Sequence, residues 1–130
     1  MKKLVLLFLI SISIISCKKK EEEKKEESKL TPPSWIIGKW SNSDGDIYEF
    51  KENDFCRTLN ITNNTLCLID LYKDNENTKL EDESTDSFYK IYKLPYNTDR
   101  TLIYEFLKIS TDTIEEVRSS GNVLFIKITN

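Results

Sequence analysis

The chain has 130 residues, with 19 Lys and Arg against 22 Asp and Glu, three cysteines and no histidine. That length suits one globular domain at most. Without histidine there is no Ser-His or Cys-His nucleophile pair, no imidazole base and little from which to build a zinc or iron site, so the chain is not expected to be an enzyme and no catalytic or metal-binding residue is assigned.

Lys2 and Lys3 precede an apolar run over residues 4–15, which ends at Ser16-Cys17. Twelve residues, ten of them apolar, make ~18 Å of helix, short of the ~30 Å of bilayer hydrocarbon. A charged start, a short apolar run and a small residue are the marks of a secretory signal helix over residues 1–16. The stretch Ile14-Ile15-Ser16-Cys17 resembles a bacterial lipoprotein box, although Ile14 stands where Leu is usual and Ile15 where a small residue is preferred. The resemblance implies cleavage before Cys17 and its acylation by palmitate-like chains, which fix the protein to a lipid bilayer. An ordinary signal with an incidental cysteine is the alternative. Residues 18–29 read KKKEEEKKEESK, with no apolar side chain to bury, so residues 17–34 are expected to be a lipidated cysteine and a charged, disordered tether. Lysines and then acids after the cysteine also resemble the surface-export signal of some outer-membrane lipoproteins. That resemblance implies an outer-membrane location, with cell-surface display preferred to the periplasmic face.

From Leu30 the composition turns globular, and 11 basic residues face 17 acidic ones, a net of −6. An acidic domain without a basic stripe argues against nucleic acid as a partner. Short segments rich in Ile, Leu, Tyr, Phe and Thr alternate with Asn, Asp and Ser. They predict strands over residues 36–41, 46–51, 55–60, 66–72, 78–81, 88–94, 101–108, 113–118 and 123–129. No interval holds the dozen residues a parallel crossover needs, so the connections are hairpins. The expected fold is all-β: an antiparallel up-and-down meander of about eight or nine strands over residues 35–130, closed into a small barrel to remove its edges. A curled open sheet is the alternative.

Period two places Leu102, Tyr104 and Phe106 on one face of the seventh strand. In the last strand it places Leu124, Ile126 and Ile128 on one face and Val123, Phe125 and Lys127 on the other. At the opposite end of the domain, Gly38-Lys39-Trp40 stands where a first strand begins, after Pro32 and Pro33. This G-x-W element resembles the opening of lipocalin-like domains. The resemblance implies that Trp40 plugs one end of a barrel, with Gly38 beside it and a basic residue of the final strand, here Lys127, lying over the indole. An exposed strand lysine is the alternative for Lys127.

Cys56 and Cys67 are an even pair for an oxidising compartment. A two-residue turn at Asn63-Asn64 would set Cys67 opposite Asn60 and leave Cys56 ~13 Å further along, out of disulfide reach. A register centred on Ile61-Thr62 would bring the pair together; two buried thiols are the alternative. Asn42-Ser43-Asp44-Gly45-Asp46 misses the calcium-loop template and reads as a hairpin turn. Adjacent carboxylates such as Glu115-Glu116 go to opposite faces of a strand and make no acid–base pair. No cofactor is implied. The expected function is a membrane-anchored lipocalin-like lipoprotein binding a small apolar or amphipathic ligand in its aromatic-lined cup. The alternative is a solid barrel that meets a protein partner through its loops. A cup already filled by Tyr and Phe would defeat the carrier, whereas a cavity of ~300 Å³ or more at the end away from Trp40 would favour it.

Overall fold

A computed structural model of the chain describes residues 28–95 and 99–129; the signal run, Cys17 and the charged segment to residue 27 lie outside the described residues. The chain forms β1 (Gly38–Ser41), β2 (Ile47–Phe50), β3 (Phe55–Thr58), β4 (Thr65–Cys67), α1 (Leu68–Tyr72), β5 (Thr78–Ser84), β6 (Phe88–Pro95), β7 (Thr101–Lys108), β8 (Thr113–Glu116) and β9 (Val123–Lys127). All nine strands join one antiparallel sheet in the order β4-β3-β2-β1-β9-β8-β7-β6-β5. Every pairing but one is between chain neighbours; the exception is β1 on β9, where Trp40 faces Lys127 and Ser41 faces Ile126.

The sheet curls because alternate residues of each strand are apolar and must share one interior. Trp40, Tyr48, Phe50, Phe55, Tyr89, Phe106, Ile114 and Phe125 are all essentially buried. Their rings interlock: Phe50 meets Phe106 edge-on at 4.9 Å, Tyr48 meets Phe55 at 5.1 Å, and Tyr48 stacks on Phe125 at 4.2 Å. Each such ring contributes roughly 1.5–3 kcal/mol through burial, with edge-on pairs adding to it. The cup anticipated from the sequence is therefore filled by its own aromatic side chains.

Ladder pairing stops between β4 and β5, the two ends of the strand order. Helix α1 and the segment before β1 cover this opening. Leu68 of α1 is buried, and Ile69 and Tyr72 pack on the core. Residues 28–34, expected to be tether, instead pack against β5. Ser28 Oγ accepts the Leu80 N–H at 3.0 Å, and Thr31 donates its N–H and hydroxyl to the Asp82 carboxylate at 2.5 and 3.2 Å. Between these contacts Leu30 is 0% exposed. A single leucine and a buried proline, Pro32, set this boundary, and neither has the periodicity that marks a strand.

The predicted strand 66–72 also needs correction, since only β4 belongs to it and Leu68–Tyr72 is helical. Asp54, in the turn after β2, accepts the Ile69 N–H at 3.1 Å and so anchors the first helical turn from outside the segment. A second correction concerns β7. Ile91 pairs with Tyr104 but Tyr92 pairs with Leu102, so Ile103 is an extra, bulged residue. The bulge reverses the alternation: Ile103 and Tyr104 pack on the core, and Leu102 is 43% exposed. In β9, Phe125 faces inward, while Leu124 and Ile126 are 54% and 51% exposed on the outer face.

The β3–β4 hairpin takes the register centred on residues 61–62, with Cys56 opposite Cys67. The two are joined by a disulfide, with sulfurs 1.97 Å apart across a separation of 11 residues. Replacing both cysteines by alanine should lower stability by ~2–4 kcal/mol, because the open chain regains loop freedom on unfolding. A urea midpoint indistinguishable from that of the parent would contradict this.

Candidate functional site

The turns between strands define two ends of the sheet. At one end lie the start of β1 and the turns β2–β3, β5–β6 and β7–β8; at the other lie the turns β1–β2, β3–β4, β6–β7 and β8–β9.

At the first end the three residues carrying the G-x-W resemblance come together. The Trp40 indole is 0% exposed and donates its N–H to the Ile36 carbonyl at 2.8 Å. Lys127 Nζ stands 5.3 Å from the centroid of the Trp40 ring. Gly38 has φ +126°, and a Cβ there would lie 3.3 Å from Lys127 Cε. Glycine is thus required twice, by its backbone angle and by the lysine stem that crosses it on the way to the indole. Trp35 closes the rim, donating its indole N–H to Thr85 O at 2.9 Å with Lys108 over its ring.

At the second end a polar group rests on the aromatic core. Glu116 is only 5% exposed, since the alternation of β8 that buries Ile114 buries residue 116 as well. Tyr48 donates its hydroxyl to Glu116 Oε2 at 3.0 Å. Arg118 Nη2 donates both to Glu116 Oε2 and, at 3.0 Å, to the Tyr48 oxygen. Burial first, and the Glu116 charge second, hold the Tyr48 phenol protonated far above its ordinary range. The hydrogen bond to Glu116 likewise raises the Arg118 guanidinium, which stays charged.

Beside this group β7 and β8 part company. Their ladder ends at Phe106 and Glu116, with a last bond from the Val117 N–H to Glu105 O at 2.9 Å. The chain then folds into its own turn, where Gly121 N–H reaches Arg118 O at 3.2 Å. An open groove of about 640 Å³ remains, lined on one side by Leu102, Ile103 and Tyr104 and on the other by Val117, Arg118 and Ser119. Across the sheet, the alternation that buries Phe55 turns Arg57 the same way, opposite Tyr48 in the β2–β3 ladder. Arg57 enters no ion pair with a described residue. Burial above all raises the Tyr104 phenol; Arg57 and Arg118 pull it back, and Glu116 pushes it further.

None of the residues at this second end is a site residue in the sequence reading. The signal was present: Arg57 and Glu116 are charged residues on the inward phase of strands whose other inward residues are apolar. At the Cys56–Cys67 bridge, the Asp54 carboxylate lies within 4.8 Å of both sulfurs. Sulfurs joined to each other are not thiolate ligands, and Asp54 instead accepts the N–H groups of Phe55 and Ile69. The loop at residues 42–46 is a turn held by Asn42, whose Oδ1 accepts the N–H of Asp44 and of Asp46 at 3.0 and 2.9 Å. No protein-family model, curated protein or solved structure matches the chain.

Proposed function

We propose that the chain is a membrane-anchored, lipocalin-like lipoprotein that binds a small amphipathic molecule on its rim rather than in its interior. The observation behind this reading is the 640 Å³ groove between β7 and residues 117–120, at the end of the sheet opposite the Trp40 plug. That volume lies within the range usual for small-molecule sites, and its walls join apolar side chains to a guanidinium, hydroxyls and the carboxylates of Glu105 and Glu116. The filled aromatic core argues against carriage inside the sheet, as in deeper barrels. Acylated Cys17 would hold the protein at the outer membrane, preferably on the cell surface, and Cys17→Ser should move it from the membrane fraction to the soluble fraction. A variant that stays with the membrane would remove the anchor.

Native mass spectrometry of the protein extracted from its own membranes tests the binding reading. A chain mass accompanied by a small amphiphile is expected. A bare chain that cross-links to a protein through β9 would favour the solid interaction module instead. That second reading draws on the exposed Leu124 and Ile126, which border another open groove of about 660 Å³ beside the β1–β2 turn.

A further inference from the structure

We infer that the β3–β4 turn docks on the bilayer, with Ile61 entering the lipid interface and the second end of the sheet facing the membrane. This rests on the lipid-anchor reading above and adds which surface of the domain the membrane meets.

Ile61 is 96% exposed, more than any other large apolar side chain among the described residues. Single exposed apolar residues are ordinary on a protein surface, but this one is held out by everything around it. The Cys56–Cys67 disulfide staples the base of the hairpin, and the Thr58 and Thr65 hydroxyls meet above it at 2.7 Å. The N–H groups of Thr62 and Asn63 return to the Leu59 carbonyl at 3.3 and 2.9 Å. Asn60 ties the turn to its neighbour, donating its backbone N–H to Asp46 Oδ1 at 2.9 Å and its side-chain amide to Asp44 O at 3.0 Å. The tip is thus a braced projection that loses little freedom when it meets a surface.

Charge separates this turn from the rest. Residues 59–64 read Leu-Asn-Ile-Thr-Asn-Asn, without a charge, whereas every other turn between neighbouring strands carries at least one. The turns of the first end present Glu52, Asp54, Asp86 and Asp112 against Lys51, and the exposed Ile109 shares its turn with Asp112. A carboxylate drawn into a lipid interface loses hydration, so the first end is the poorer face for lipid.

The length of chain between the anchor and the domain makes so small a contact sufficient. Ten residues separate Cys17 from Ser28, and fully extended they span at most ~35 Å. Strand β6, with eight residues, is ~26 Å long. Acyl chains on Cys17 therefore keep the whole domain within about its own length of the bilayer. One apolar side chain would not hold a free protein on lipid, but on a tether the contact is intramolecular and the local lipid concentration is high. The groove of about 640 Å³ lies at this same end, so the amphiphile of the rim site would enter from lipid rather than from water.

The test uses the full, acylated protein in phosphatidylcholine nanodiscs, with and without a lipid carrying a nitroxide on its headgroup, and reads the enhanced relaxation of backbone amides. Enhancement should be greatest at Asn60, Ile61 and Thr62 and weak at Ile109, and it should persist at high salt, since the contact is apolar. Ile61→Asp should keep the parent unfolding midpoint, because the side chain is exposed, yet lower the docked population about tenfold or more and with it the enhancement at residues 60–62. Enhancement greater at Ile109, or unchanged in Ile61→Asp, would overturn the docking and leave the anchor standing. Broadening at Ile61 that needs no nitroxide and grows with protein concentration would assign the tip to a second copy of the chain and overturn it as well. A protein that does not stay with the nanodiscs would overturn the anchor and this inference together.

Discussion

Trp40→Ala is expected to cost about 3–5 kcal/mol, a large part of the stability of so small a domain. The indole is wholly buried, its N–H is satisfied by Ile36 O, and Lys127 lies across it. Truncation would leave a void under a lysine held there only by the ring, and would free the Ile36 carbonyl at the rim. The loss should exceed that from removing the cation alone, since Lys127→Met gives up a contact worth ~0.5–2 kcal/mol while keeping an apolar stem over the ring. Urea unfolding followed by near-ultraviolet circular dichroism would read both variants. A Trp40→Ala protein with the parent midpoint would mean that the indole does not close this end.

The strand pattern was legible because nine runs of alternating residues are local features, and a chain with short intervals has only hairpins to use. What was not legible depended on partners far along the chain. Residues 66–72 have the composition of a strand, but a disulfide at Cys67 and an acceptor at Asp54 turn the latter part into a helix. The bulge at Ile103 is set by pairing with β6, and one extra residue is enough to turn Leu102 outward. In β9 both faces looked apolar, so alternation alone could not say that the face ending in Lys127 was the inner one. The G-x-W resemblance implied an inward lysine but left an exposed one open, and it is the position of Lys127 over Trp40, with Phe125 buried, that decides the face. The disulfide turned on register alone: the two arrangements of the β3–β4 hairpin differ by only two residues in their turn, and only one pairs the cysteines.

The two ends of the sheet solve one problem differently. An interior filled with rings must be sealed from water at both ends of each strand. At the first end the seal is a tryptophan under a lysine, complete in itself. At the second the seal is Tyr48 under Glu116 and Arg118, a polar lid with unused donors and an open groove beside it. The polar lid of the second end thus borders the groove of about 640 Å³, whereas the indole of the first end is covered by its own lysine.

Alkaline pH should unfold the domain more steeply than its lysines and arginines alone would. Tyr48 and Tyr89 are both fully buried, and burial, followed by the facing carboxylates Glu116 and Asp82, raises both phenols well above the ordinary value near 10. A folded phenol that stays protonated while the unfolded one ionises means that the folded state binds more protons, so stability falls as pH rises above about 10 and is unaffected below it. Each of these two tyrosines should remove up to ~1.4 kcal/mol per pH unit above that point, or about 3 kcal/mol together by pH 11. Tyr104 is shifted in the same direction and adds to the slope. Urea midpoints between pH 8 and about pH 11.5, read beside tyrosinate absorbance, provide the measurement. Tyr48→Phe should flatten the slope by one tyrosine and lower stability at neutral pH, since it removes a donor to the buried Glu116. If all six tyrosines of the chain titrated near 10 with the fold intact, the phenols would not be sealed inside, and the solid core on which the rim-binding reading depends would be lost.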